Sequence, residues 1–291
     1  MSDVKKATLT RIMSAVVALP LYIFCLYTDR PYNIPIFVVS LIITLVCLHE
    51  YYQISRRDGE QRPYMAFGFT AAFAVNVLMY FYAFGGLRYV RSFDARALFI
   101  VLALFTAAVL VYQVFWRPLK GGIYSLAVTV FGVIYIVVFF SHIILIKALP
   151  GGWYYLLILN IVVMINDTMA YFGGVLFGKH KTNFPASPNK SWEGYFSGLL
   201  FSVLAMVITN QVYISFYGVT LFSMMESVFL GIALSVLGHT GDLVESAVKR
   251  DGAIKDSGSI IPGHGGMWDV FDALIFTMPL FYYYLVIRGV M

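Results

Sequence analysis

The chain has 291 residues, of which 60% are hydrophobic and only 12% charged, about half the charged share of an ordinary soluble domain. That is too little charge to cover a soluble surface of this size, so a freely soluble fold is excluded before any motif is read. The formal net charge of +5 comes from 20 basic residues set between apolar runs. With no compact Lys/Arg stripe, nucleic acid is excluded as a partner, and an anionic membrane surface or anionic substrate suits the charge better.

A bilayer core takes about 20 mainly apolar residues per helix. Lys5, Lys6 and Arg11 precede the first such stretch, 12–28, but no small-residue cleavage site stands before Asp29-Arg30. The stretch therefore reads as a retained span, not a signal peptide. Further spans are predicted at 32–49, 64–86, 97–116, 121–146, 151–177, 194–214, 224–248 and 267–288. Cys25 and Cys47 lie inside apolar runs and read as apolar fillers, so neither a disulfide framework nor a Cys-based metal site follows. The expected fold class is an all-α polytopic membrane protein with about nine transmembrane helices. It reads as a single integral domain, with lipid-facing N-terminal helices over 1–150 and polar helices and loops over 151–291.

Charges between the spans set the orientation. With the N-terminus inside, 14 basic residues fall on the cytoplasmic side and six, Arg30, Arg88, Arg91, Arg96, Lys147 and Arg288, on the other. The expectation is a cytoplasmic N-terminus, a C-terminus on the far side, and cytoplasm-facing loops after spans six and eight. A cytoplasmic membrane is the implied location.

A carboxylate inside a span costs about 2.5–3.5 kcal/mol on insertion scales. The chain nevertheless places Asp167, Asp242, Glu245, Asp269 and Asp272 in its last spans, with Glu226 at a span end. In a helix, Asp242, Glu245, Ser246 and Lys249 fall at i, i+3, i+4 and i+7 and share one face, with His239 a turn earlier. Asp269 and Asp272 are i, i+3 neighbours. Two helices can thus present carboxylates to each other, a donor set suited to a hard cation such as Mg²⁺. The alternative is that these carboxylates pair with Lys249 or Arg250 and merely hold helices together.

The loop from Lys249 to Gly266 combines cations (Lys249, Arg250, Lys255), hydroxyls, His264 and a Gly-rich run, Gly263-His264-Gly265-Gly266, that ends at a helix start. Backbone N–H groups in such a run can cradle phosphate oxygens. The loop after span six holds Lys179, Lys181, Ser187 and Lys190, which either bind anions or anchor the positive side; Asn189 or Ser191 can cap the next helix. Gly173 to Lys179 spells most of a phosphate-binding P-loop, but His180 follows where Ser or Thr is needed and a membrane helix precedes it instead of a strand, so that reading is rejected.

From Ser246 onward the sequence resembles the signature of the phosphatidate cytidylyltransferase family. The matching blocks are Gly241-Asp242, Glu245-Ser246, Lys249-Arg250, Lys255-Asp256, His264-Gly265-Gly266 and Asp269-Val270-Phe271-Asp272. Upstream, Asp167, Ala170-Tyr171, Phe177-Gly178-Lys179, Ser187-Pro188, Lys190-Ser191 and Glu193-Gly194 match as well. The N-terminal part is similar only through Arg11-Ile12 and Glu50-Tyr51. One position departs: the family's Arg within its D-R-x-D pattern is Val270 here.

The resemblance implies transfer of CMP from CTP to phosphatidic acid, giving CDP-diacylglycerol and pyrophosphate, with a homodimer as the assembly. It assigns the divalent metal to Asp242 and Asp269, with Asp272 and Glu245 as further ligands, and catalytic parts to Lys249 and His264. Arg250, Lys255, Asp256, Ser246, Gly265 and Gly266 would hold phosphates on one wall, and Asp167, Lys179, Ser187 and Lys190 would shape the other. Mg²⁺ is the expected cofactor, and a triphosphate beside a lipid phosphate leaves room for a second cation. The competing classes are a CTP-dependent polyprenol kinase or a cytidylyltransferase for another lipid, a catalytically weakened relative signalled by Val270, and an ion-coupled transporter using the same carboxylates.

Overall fold

Long apolar runs leave a backbone in lipid one economical way to satisfy its own hydrogen bonds, the α-helix. The computed structural model describes residues 20–29, 32–57, 59, 61–85, 95–263 and 265–290; Lys5, Lys6, Arg11, Arg30, Arg88, Arg91 and His264 lie outside the described residues. The helices are α1 (20–27), α2 (Ile34–Ile54), α3 (Met65–Phe84), α4 (Ala95–Trp116), α5 (Gly122–Lys147), α6 (Gly152–Phe177), α7 (Trp192–Tyr217), α8 (Met224–Asp251) and α9 (Met267–Ile287). Eight of them, α2 to α9, are long and apolar enough to cross a membrane. Among the described residues the only bridged backbone outside helices is three isolated antiparallel pairs, two of them in the loop 178–191. The protein is an all-α polytopic membrane protein.

Two helix ends run past their predicted limits for a physical reason. α2 continues through Glu50 to Ile54 because Glu50, only 3% exposed, finds donors on another helix. α8 continues to Asp251, its last turn carrying Lys249 and Arg250, where cations complement the negative end of the helix dipole.

α5 is the most enclosed helix, with 78% of its spanning window buried against 17% for α4. Its middle, Val133–Val138, widens into a π-helical turn that buries Tyr135. α9 packs beside it through Trp268 and Phe276, whose rings approach Tyr135 at 6.2 and 6.5 Å. α6, α7 and α8 pack tightly where small residues let backbones meet, as expected when lipid supplies no hydrophobic drive between helices. At Gly198 of α7, a Cβ would stand 2.9 Å from the Asn166 carbonyl oxygen of α6 and 3.0 Å from the His239 ring of α8.

Side chains fix the ends. Ser191 caps α7 by accepting from Gly194 N at 3.2 Å. Ser223 and Glu226 form a capping box at the start of α8, and Glu226 also binds Arg288 and Tyr284 at the end of α9. Lys147, 5% exposed, donates to the Leu26 and Tyr27 carbonyls at the end of α1 and pairs with Asp29. Antiparallel neighbours bring the C-terminal ends of α6 and α8, the N-terminal ends of α7 and α9, and the loops 178–191 and 252–266 to one end of the bundle.

Candidate active site

The i, i+3, i+7 stripe of α8 meets the first turns of α9 at that end. Carboxylate oxygens of Asp242, Glu245 and Asp272 all lie within 4.8 Å of one another. Lys190, from the loop before α7, forms an ion pair with Asp242. Lys249 reaches Glu245 Oε2 at 2.6 Å and Asp269 Oδ1 at 2.7 Å. Ser246 Oγ lies 3.4 Å from Asp242 Oδ1. Asp167 joins from α6, held by the Asn166 side-chain amide at 3.1 Å.

The pairing of carboxylates with lysines is incomplete. Four carboxylates (Asp242, Glu245, Asp269, Asp272) face two ammonium groups, Lys190 and Lys249. Asp272, 8% exposed, forms no ion pair among the described residues; its Oδ1 accepts from Ala273 N at 2.6 Å. Glu245 Oε1 is buried with no hydrogen-bond partner among the described residues. A buried excess of negative charge and an orphaned carboxylate oxygen are what a hard cation would satisfy, so Asp242, Glu245 and Asp272 fit a divalent metal. Asp269 is differently engaged. Its Oδ2 accepts from Ser257 N at 2.8 Å, Ser257 Oγ at 3.0 Å and Gly266 N at 2.7 Å, while Lys249 holds its other oxygen.

A cavity of about 570 Å³ opens beside the cluster. Asp167, Ser187, Lys190 and Asp242 line it together with Tyr195 and His239, and Tyr171 and Val175 form an apolar flank. Burial alone would lower the pKa of the Lys190 ammonium, but the charge and hydrogen bond of Asp242 outweigh it and hold the group above the ordinary lysine value. Lys190 also stands 5.7 Å from the centre of the Tyr195 ring, a cation–π distance. Behind this wall, Asn166 is fully buried; its amide meets His239 Nε2 at 3.3 Å and its carbonyl accepts from Ser235 Oγ at 2.6 Å.

The other sequence-derived residues lie around this centre. Lys179, Lys255 and Asp256 are exposed and do not line the cavity. Arg250 is exposed and donates to the carbonyls of Ile254 and, at 3.4 Å, Ala186, so it ties the two loops together. Gly265, at φ +100°, and Gly266 wrap the Asp269 carboxylate. His264 lies outside the described residues. Val270 is 40% exposed. Sequence reasoning passed over Asn166, Tyr195 and Ser235, which carry no spacing signal in apolar helices. It noted Glu50 only as part of a weak similarity.

Fold and site together define a polytopic helical membrane protein that gathers carboxylates and lysines round a cavity at one end of its bundle. The chain belongs to the cytidylyltransferase family, whose profile matches residues 9–288. Among curated proteins it is similar to the phosphatidate cytidylyltransferase of Bacillus subtilis, 39% identical over 196 residues that cover 65% of this chain and 66% of that protein. It is also similar to those of Staphylococcus epidermidis, 42% identical over 129 residues, and Staphylococcus aureus, 41% over 131. Each of these two matches covers 44% of this chain and 48% of the relative, so the aligned stretch spans about half the length of the staphylococcal proteins.

Proposed function

We propose that the protein transfers a cytidylyl group from CTP to phosphatidic acid, giving CDP-diacylglycerol and pyrophosphate, as the names of its relatives indicate for them. The observation that carries this reading is the grouping of Asp242, Glu245 and Asp272 beside Lys190 and Lys249, with Asp242 and Lys190 reaching the cavity wall. Such a set neutralises phosphates, and it includes no activated protein nucleophile. None is needed. An oxygen of the lipid phosphate attacks the α-phosphorus of CTP, the bond from that phosphorus to the bridging oxygen breaks, and pyrophosphate leaves with the electron pair.

The protein's work is then positioning and charge stabilisation. Lys190 exchanges Asp242 for a phosphate oxygen, and the lysines and arginine of the two loops draw in the polyanion. Lys249 fixes Glu245 and Asp269 relative to each other. Asp242, Glu245 and Asp272 would hold Mg²⁺, with Asp269 bracing the start of α9. A cation held there supplies neutralising charge to the reacting phosphates. The membrane is cytoplasmic, with the N-terminus and the site on the cytoplasmic side, in line with the bias of basic residues.

The test is purified protein in detergent, incubated with phosphatidate and CTP labelled at the α-phosphate, with and without Mg²⁺. Mg²⁺-dependent label in the lipid, with pyrophosphate released, is the expected result. Lipid label obtained only from γ-labelled CTP would make the protein a kinase instead.

A further inference from the structure

The N-terminus of α9 carries Asp269 and Asp272, yet it has no cap of its own for its first two N–H groups. The residue before it is Gly266, which has no side chain to accept them. They are taken by a carboxylate 217 positions earlier in the chain. Glu50 Oε1 accepts from Met267 N at 2.9 Å, and Glu50 Oε2 accepts from Trp268 N at 2.8 Å and from Ser257 Oγ at 2.9 Å. Glu50 forms no ion pair among the described residues and is only 3% exposed.

The approach is close enough that any Cβ at residue 266 would displace Ser257 Oγ and the Glu50 carboxylate, coming within 2.5 Å of Glu50 Oε2. Ser257 in turn bridges Glu50 and Asp269, at 2.9 and 3.0 Å. Two carboxylates, Glu50 from outside and Asp269 from within, therefore clamp one helix start. A buried carboxylate is expensive near a membrane; here it is set where a helix start offers positive potential.

We propose that Glu50 is a positioning residue for the metal-holding carboxylates: it fixes the first turn of α9, and through it the place of Asp272 beside Asp242 and Glu245. The proposal rests on the metal assignment made above. Removing Glu50 frees Met267 N and Trp268 N and lets the turn carrying Asp269 and Asp272 shift.

The experiment follows the melting temperature of the purified full chain as Mg²⁺ is titrated, without CTP or lipid. Glu50→Ala is expected to raise the half-saturating Mg²⁺ concentration by up to roughly ten-fold, the lower end of what losing a group bonded directly to a ligand costs, because Glu50 acts through the backbone of α9. Glu50→Gln, which keeps the size and one acceptor, should recover part of that loss, and Ser257→Ala should show a smaller rise. Glu226→Gln, at the opposite end of the bundle, controls for general loosening and should leave the half-saturating concentration unchanged. An unaltered value in Glu50→Ala, or the same change in Glu226→Gln, would overturn the proposal. If Glu50→Ala does not fold, Glu50→Gln and Ser257→Ala decide it in the same way. Absence of Mg²⁺ stabilisation in the wild-type chain also overturns it. Label transfer from CTP by the wild-type chain is read separately, so failure of the activity assignment is distinguishable.

Discussion

Replacing Asp272 with asparagine tests the charge accounting of the site, because it should stabilise the metal-free protein while disabling it. Asp272 lies within 4.8 Å of carboxylate oxygens on Asp242 and Glu245 and has no ammonium of its own among the described residues. Two like charges at that separation repel by about 3.5 kcal/mol at an effective dielectric of about 20. Lys190 offsets Asp242, and Lys249 is shared between Glu245 and Asp269. The relief left for Asp272→Asn is therefore at most about 1–3 kcal/mol, largest at alkaline pH where all three carboxylates are ionised, a rise of up to a few degrees in melting temperature. The assay is thermal unfolding in detergent with EDTA and then with Mg²⁺. The variant should melt above wild type in EDTA and below it in Mg²⁺, because only the wild type gains from the cation, and its cytidylyl transfer should be lost. A variant that melts lower than wild type in EDTA would show that Asp272 is already compensated and that the cluster is a structural knot.

Lys249→Met strands Glu245 and Asp269 without their shared cation and should cost about 3–5 kcal/mol of stability, read as a large fall in melting temperature; a neutral result would contradict the burial of this triad. Lys190→Met should leave the fold intact at neutral pH and lower kcat/KM for CTP by about 10²-fold, in line with losing one donor to developing charge. The same lysine sets a pH limb. Its folded pKa lies above the ordinary 10.5, so its pair with Asp242 adds stability fully present below that value and lost as pH rises through the folded pKa. Lys190→Met should lack that alkaline limb. Gly198→Val drives a branched side chain into the Asn166 carbonyl and the His239 ring and should destabilise by about 1–3 kcal/mol, measured as a lower yield of monodisperse protein and a lower melting temperature.

The fold was legible because the bilayer imposes one length and one composition on every span. Where the predicted ends fell short, as at Glu50 and Lys249, a polar residue read as a boundary was satisfied by a partner from another helix, which local pattern does not carry. The site was legible to the same depth. The spacing of Asp242, Glu245, Ser246 and Lys249 placed them on one face, and the two-aspartate motif placed Asp269 and Asp272 on another. The partner choices were not legible. A face says where a carboxylate points, but not that Lys190 meets Asp242, that Asp269 turns back on Gly266 and Ser257, or that buried Asn166 joins Ser235 to His239 at the cavity wall. The Asn166 contacts follow from how α6, α7 and α8 approach at their small residues, and the turn of Asp269 is local to the start of α9.

The bond between Glu50 and the start of α9 also bears on how the molecule is made. Helix α2 emerges from the ribosome and enters the bilayer long before α9 exists, so its carboxylate waits for donors that more than two hundred residues of chain separate from it. The contact can thus close only once α9 is in place, and it couples two spans far apart in the chain. A chain arrested before α9 leaves the Glu50 carboxylate on α2 without those donors, and a carboxylate unsatisfied within the bilayer is costly.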